Sequence, residues 1–480
     1  MVEHILFLTG KLAEKRLHKI LVSMQATDFS YEVRNLGVSV AALMTAGMIK
    51  RRLRDINGVS RIIVPGLCRG DLDAVSAKLN VPIICGPDDL KDLPGFFGRD
   101  CQPVDLTGYD VTIFAEIVEA PQVDVAWILA RARRYADDGA DVIDIGCLPD
   151  TDFPHLEDAI KALKQEGFKV SVDSMLEDEL LRGAKAGADY LLSLNESTLW
   201  IADEVDSVPI IIPEKHGDLT SLYRAIDTLG AGNRRFIADS ILGPIHFGFS
   251  DSLHRYHRLR KRYPDIEIMM GVGNITELTE ADTSGMNAIL FGVCSELGIN
   301  NVLCTEVSPH ACSAVREADK ARRIMYAAKK QQSLPKGLDN SLLTTHARKP
   351  FPYTSEEIAE LSQEVRDPNY RVQVSEEGIH VFNRDGMHIE KDPFAIFTKL
   401  ALLEDDAPHA FYMGVELAKA QIAWQLGKNY MQDEELKWGA AVKSTNTAAS
   451  DSTLKLTHQF KAEGSTLKAS RNRKKKHKAS

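Results

Sequence analysis

The sequence predicts an α/β protein. An eight-stranded (β/α)8, or TIM, barrel spans residues 108–330, a parallel α/β domain precedes it at 1–105, and a small α+β module follows at 345–440. Three observations predict this. A strand-plus-helix unit recurs every 20 to 30 residues or so through the middle of the chain. Most strands of that region finish on a carboxylate, an amide or a basic group. On either side the rhythm changes, to fewer and shorter α/β units before it and to a hairpin pattern after it.

Taken in order, the first apolar strands are Ile5–Thr9, Tyr31–Leu36, Arg61–Val64 and Val81–Cys85, each followed by a helical or turn segment. Periodicity lapses in the Gly- and Pro-containing stretch Pro94–Gly108, which sets the first boundary. Strand-like runs then begin near Val111, Asp141, Lys169, Asp189, Val208, Arg235, Ile266 and Asn287. Helical patterns such as Val125–Asp137, Leu156–Glu166 and Leu253–Tyr263 fill the gaps. An open doubly wound sheet shows the same alternation, so the strand count argues for closure without proving it. A helix over Ser313–Lys330 ends the barrel, and a polar linker runs through Ser341.

Beyond it, Tyr370–Val374 and Gly378–Phe382 read as strands, Asn383–Gly386 contains the Asp-Gly turn of a hairpin, and His388–Ile389 opens a third strand. Helices are expected over Pro393–Leu403 and His409–Leu426. Residues 441–480 are rich in Ser, Thr, Ala and Lys and end in a basic run at Arg471–Lys478, a composition that cannot bury a core and is expected to be disordered.

The chain has 480 residues, 44% apolar and 26% charged, enough for two or three well-buried domains. Its net charge of −10 conceals a basic tail, which leaves the body at about −18. An acidic body argues against nucleic acid as the main partner. Seven scattered cysteines with no CxxC pair look like reduced cytoplasmic thiols. No export signal or membrane span is visible, so a cytoplasmic protein is expected, with a homodimer as one option.

In such a barrel the reacting groups sit where the strands finish, because the following loops form the open face above a packed interior. The strand ends carry Glu116, Asp144, Asp173, Asn195, Lys215 with His216, Asp239 and Asn274. Any one of the acids alone could be a helix N-cap. Together, Asp173 and Asn195 on adjacent strands offer a carboxylate and an amide to one planar ligand with both donors and acceptors.

The run Asp138-Gly-Ala-Asp-Val-Ile-Asp-Ile-Gly146 resembles the second-strand signature of dihydropteroate synthases. Val170–Ser174, Ala186–Asp189 and Asn195 resemble their third and fourth strands, and Ile237–Asp239, followed by Gly243-Pro and Phe247–Phe249, resembles the sixth. The layout as a whole, with Gly273–Thr279, Asn300–Pro309 and His409–Tyr412, is similar to the synthase-related proteins of tetrahydromethanopterin biosynthesis. The resemblance implies pterin as a substrate held by Asp173, Asn195 and Asp239, with Asp173 and Asp239 stabilising the positive charge that develops on the ring. It implies a reaction in which a dihydropterin diphosphate is joined to ribofuranosylaminobenzene phosphate with release of pyrophosphate, Mg²⁺ being a candidate bridge between phosphate oxygens.

The departures are equally plain. Glu116 and Val118-Glu119 stand where the best-known members have Asn and a Thr-Pro-Asp loop. Cys147-Leu-Pro-Asp150 replaces the loop that embraces p-aminobenzoate, Gly273-Asn274 replaces a Ser-Arg-Lys segment, and no Arg-x-His follows the last strand. A different arylamine is implied, and the anion site is reassigned to Lys215, His216, Asn274 and His310, with Arg316 as a candidate for the arylamine phosphate. Glu116 and Asp144 complete the candidate substrate-binding set. Two alternatives stay open, a pterin-dependent methyltransferase component and a non-catalytic pterin-binding subunit.

Overall fold

The computed structural model describes residues 3–24, 29–38, 41, 44–87, 90–98, 104–400 and 407–443. The N-terminal part is a four-stranded parallel sheet of β1 (Glu3–Thr9), β2 (Phe29–Asn35), β3 (Arg61–Val64) and β4 (Ile83–Cys85), in the order β2-β1-β3-β4. Helices α1 (Glu14–Ser23), α2 (Ala46–Arg52), α3 (Leu72–Leu79) and the single turn α4 (Leu93–Phe96) cover it. The central strands β1 and β3 read as apolar runs because both their faces are buried, whereas the edge strands β2 and β4 are only partly covered. Ile5, Phe7 and Ile63 pack on Leu17 and Leu21 of α1, whereas Leu6, Leu8 and Ile62 pack on Ile49 of α2 and Val75 of α3.

The central part is a closed barrel of eight parallel strands. These are β5 (Thr112–Ile117), β6 (Val142–Gly146), β7 (Lys169–Asp173), β8 (Tyr190–Leu194), β9 (Val208–Ile211), β10 (Ile237–Ala238), β11 (Glu267–Gly271) and β12 (Asn301–Thr305). Each pairs with the next, and β12 closes on β5 with Asn301 opposite Thr112 and Thr305 opposite Glu116. The helices around it are α5 (Val125–Asp137), α6 (Leu156–Gln165), α7 (Glu177–Ala186), α8 (Trp200–Glu204), α9 (Leu219–Ala231), α10 (Phe249–Arg262), α11 (Gly273–Thr276), α12 (Thr283–Leu297) and α13 (Ala314–Gln331).

One strand lies elsewhere than expected. The last barrel strand is β12, and Asn287 sits fully buried inside α12. The run beginning near Asn287 reads as a strand because α12 is apolar on more than one side, packing against both the barrel and α13, which erases the 3.6-residue stripe.

Alternation along the strands sorts the barrel into an outer and an inner set. Ile113, Ala115, Ile143, Ile145, Val170 and Val172 face the helices. Phe114, Val142, Tyr190, Leu192, Ile210, Ile237 and Met269 face inward and fill the lower barrel, with the Phe114 and Tyr190 rings 5.0 Å apart. Two residues further along β5 and β6, the same inward positions are Glu116 and Asp144, which sit opposite each other in register. The barrel is therefore an apolar plug beneath an acidic rim.

The C-terminal part is the antiparallel sheet β13 (Arg371–Ser375), β14 (Gly378–Asn383) and β15 (Gly386–Glu390), with α14 (Ser355–Glu364), α15 (Pro393–Phe397) and α16 (Ala407–Leu426). The hairpin turns on Arg384-Asp385, and the Asn383 side chain accepts the Asp385 amide at 2.8 Å. Val372, Val374, Ile379 and Val381 pack on Met413, Leu417 and Ala420 of α16. The helix expected over Pro393–Leu403 ends at Phe397, and its last three residues lie outside the described ones, as does the basic tail beyond 443.

The linker after α13 is not a free polar tether. Leu338 and Leu342, together with Val104 and Leu106 from before the barrel, cover Ile324, Ala327 and Ala328 of α13. Ala440 donates its amide to the Ser341 carbonyl at 2.6 Å, fastening the far end of the chain to the same place. Among the described residues, no helix is long and apolar enough to cross a membrane.

Candidate active site

Three adjacent strands bring Glu116, Asp144 and Asp173 together, with one carboxylate oxygen of each within 4.8 Å of the others. Asp144 is fully buried, and Glu116 and Asp173 are half-buried. None of the three forms an ion pair among the described residues. The Ser171 hydroxyl donates to Asp144 Oδ1, and the Ser193 hydroxyl donates to Asp173 Oδ1 at 2.5 Å. Asp144 Oδ2 is buried with no hydrogen-bond partner. Burial and the Asp144 and Asp173 charges push the Glu116 carboxyl well above its ordinary range, and burial with the Asp173 charge does the same to Asp144. Burial raises Asp173 as well, against the pull of Ser193.

Local sequence explains how these groups fit. Gly146 ends β6 beneath Glu116, and a Cβ there would lie 2.6 Å from Glu116 Oε1, so the glycine makes room for that carboxylate. At the end of β8 the register shifts between Leu191 and Leu194, and Ser193 adopts φ +67°, an irregularity at the point where its hydroxyl meets Asp173. Beyond β7, Ser174 donates to the buried Glu179 of α7 at 2.5 Å, and the Cys147 amide donates to the Asp173 carbonyl at 2.9 Å.

Asp239 follows β10 from across the barrel. Its Oδ1 accepts the Ile241 amide at 2.7 Å and the Tyr256 hydroxyl at 2.5 Å. Burial, with a small contribution from the Asp173 charge, raises the carboxyl to about 6 against the pull of Tyr256, Ile241 and Arg255. Arg255 is buried and donates to the Ser240 and Ile241 carbonyls at 3.3 and 2.8 Å, which pins the loop after β10. Asn195 accepts the Ser197 amide at 3.0 Å and hydroxyl at 2.6 Å through Oδ1. No described residue accepts from its amide nitrogen.

None of these acids is a helix cap. The cap positions of α6, α7 and α10 are His155, Leu176 and Gly248. The expected anion-binding residues are placed differently from the acids. Lys215 and His216 are exposed on the loop after β9. Asn274 donates to the Leu242 carbonyl at 2.7 Å, and His310 contacts the Thr276 carbonyl at 3.0 Å, so both tie neighbouring loops together. Arg316 faces Asp138 at 3.8 Å. The loops around the acids carry exposed apolar side chains, Met175 and Leu176 after β7 and Ile245 and Phe247 after β10.

Sequence reasoning missed Ser171, Ser193, Arg255 and Tyr256. Strand alternation puts Ser171 on the same face as Asp173, whereas Ser193 turns toward Asp173 only through the irregularity that leaves both Leu191 and Leu194 on the outer side of β8, which sequence alternation does not reveal. Arg255 and Tyr256 sit on a helix whose approach to the β10 loop has no local signal.

Residues 3–88 match a family described only as one of unknown function, DUF6513. An uncharacterized protein of Methanocaldococcus jannaschii is 25% identical over 523 aligned positions, covering 90% of this chain and 98% of that protein. Among solved structures, the 7,8-dihydropteroate synthase of Vibrio fischeri is 14% identical with a TM-score of 0.38, covering 47% of this chain and 95% of that one. The dihydropteroate synthase of Coxiella burnetii, solved in complex with pteroic acid, is 16% identical with a TM-score of 0.38, covering 46% of this chain and 94% of that one. That of Xanthomonas albilineans, in complex with 7,8-dihydropteroate, is 17% identical with a TM-score of 0.37, covering 47% and 94%.

Proposed function

We propose that the barrel is a dihydropteroate synthase-like transferase that joins a dihydropterin diphosphate to an arylamine, ribofuranosylaminobenzene phosphate, with release of pyrophosphate in tetrahydromethanopterin biosynthesis. The observation that carries this reading is that Asp173 at the end of β7, Asn195 just after β8 and Asp239 just after β10 all finish strands of one closed barrel at the same end, above an apolar floor. Asn195 adds a free amide donor beside them. An amino-pyrimidinone ring offers the N–H donors and ring acceptors that such a set can satisfy.

In this reading the pterin lies flat in the mouth with its polar edge on Asp173, Asn195 and Asp239. As the bond from the pterin methylene to diphosphate lengthens, positive character grows on the ring, and the two carboxylates stabilise it more than they stabilise the ground state. The arylamine nitrogen attacks the methylene carbon, pyrophosphate leaves with the bonding pair, and the amine releases a proton. Phe247 and Met175 supply apolar surface for the aryl ring. Lys215 and His216, exposed on the loop after β9, are the candidates for the diphosphate, and a Mg²⁺ ion, if bound, would supply further positive charge to the leaving group. The division at 1–105, 108–330 and 345–440, a cytoplasmic setting and a homodimer belong to the same proposal.

Because Asn274 and His310 are engaged with backbone, the anion-binding side is sparse, which favours a non-catalytic pterin-binding subunit as the second reading. Titrating the full-length protein with a dihydropterin diphosphate, with and without ribofuranosylaminobenzene phosphate, separates them. Binding plus amine-dependent pyrophosphate release, both lost in Asp173→Asn, is the expected result. Binding without release supports the carrier reading or a methyltransferase component, and no pterin binding by the wild type overturns all three.

A further inference from the structure

We propose that Glu116, Asp144 and Asp173 form a binding site for one hard divalent cation, of the Mg²⁺ or Mn²⁺ class, held directly by the protein at the floor of the barrel mouth. The proposal deepens the transferase reading by giving the cation protein ligands of its own, but it stands on separate observations and survives if the pterin assignment fails.

The first observation is the spacing. Ligand oxygens of the three side chains lie within 4.8 Å of one another. Oxygens bound at about 2.0 to 2.1 Å to a shared Mg²⁺ lie at most about 4.2 Å apart across the ion, so side-chain movements of a few tenths of an ångström bring the cluster to that diameter. The second observation is the Asp144 side chain. It is fully buried, strand alternation aims it into the barrel, and its Oδ2 has no hydrogen-bond partner although Oδ1 is satisfied by Ser171. A buried carboxylate oxygen left bare is costly unless something else reaches it.

Ser171 and Ser193 each occupy one oxygen of Asp144 and Asp173, which leaves the other oxygens for an ion. No cationic side chain is paired with the three acids among the described residues, so their crowding is relieved by protons or by a cation from outside, and the bare Asp144 Oδ2 is the atom a cation would reach. No histidine or cysteine joins the group, and an all-oxygen donor set selects Mg²⁺ or Mn²⁺ over zinc. Glu116 and Asp173 are only half-buried, so water from the mouth can complete the coordination shell. Gly146 supports the same conclusion, because it gives Glu116 Oε1 the space to lie over the end of β6, beside Asp144 and Asp173.

The test is isothermal titration of chelator-treated, full-length protein with MgCl₂ and, separately, MnCl₂, in the absence of any pterin or phosphate. One saturable site per chain is expected. Glu116→Gln should weaken it by more than about tenfold, since even disturbing the partners of metal ligands costs that much. Asp144→Asn should do the same, and Glu116→Gln serves if the buried variant fails to fold. Asp239→Asn should leave cation binding unchanged while abolishing pterin binding, which distinguishes failure of this site from failure of the transferase reading. Absence of saturable binding below millimolar cation overturns the proposal, as does binding that Glu116→Gln leaves intact.

Discussion

Asp239 is the residue whose environment makes the most direct claim. Its carboxyl is raised from 3.8 to about 6, so the folded protein holds a proton there that the unfolded chain has already lost. Stability from this group is therefore full below about 3.8 and is lost as pH rises through about 6, amounting to about 3 kcal/mol. Asp239→Asn keeps an oxygen to accept from Ile241 and Tyr256 but cannot ionise. It should raise the unfolding free energy at pH 8 by up to about 3 kcal/mol, with the gain shrinking as the pH is lowered to 5. Denaturant unfolding at the two pH values checks this, and an equal effect at both would sink it. Binding that needs the charged form runs the other way and should weaken below about pH 6. The acids themselves were legible in the sequence because strand alternation carries them from Phe114 to Glu116 and from Val142 to Asp144 on one face. What tunes them was not, since a hydroxyl such as Tyr256 acts through tertiary packing that no local pattern records.

At the scale of elements, α10 is the brace of the β10 loop. Arg255 holds two carbonyls of residues 240–241, Tyr256 holds Asp239, and Ile241 is kept at φ +64°, a conformation a branched side chain seldom adopts unaided. Tyr256→Phe removes one of two donors to Asp239 Oδ1. The expected loss is about 1 to 3 kcal/mol of stability. Because the Tyr256 bond lowers the Asp239 carboxyl, its removal should also shift the pH at which ligand binding is half lost upward from about 6. A pH titration of binding in the variant reads this, and an unmoved midpoint would show that Tyr256 does not set the acid. Most elements were readable from periodicity, as with β3 and α5, whose limits match expectation. The eighth strand was misplaced because α12 is buried on more than one side. Helix α14 was not among the expected helices, although Thr354 and Glu357 form a reciprocal capping box, a signal present in four residues of sequence.

At the scale of the molecule, α13 joins parts of the chain that are far apart in sequence. Segments from before the barrel and after it meet on Ile324, Ala327 and Ala328, and Lys443 reaches Asp138 at 3.4 Å. A chain ended at Gln331 loses Leu338 and Leu342, and burial of Leu338 alone is worth about 2 kcal/mol. Such a truncation should melt below the full-length protein, and identical melting would mean that the barrel is indifferent to its C-terminal cover. The end of the barrel was legible in the Arg- and Ala-rich pattern of α13, but its apolar cover was not, because Leu338 and Leu342 are isolated among polar residues. The closure of β12 on β5 also sets an order in time. The first strand of the barrel leaves the ribosome early, yet its second neighbour is made only after nearly the whole barrel has been translated, an interval of roughly 10 to 40 seconds at about 5 to 20 residues per second. Until then β5 has an open edge, and the acidic mouth cannot exist in any nascent fragment that stops short of Thr305.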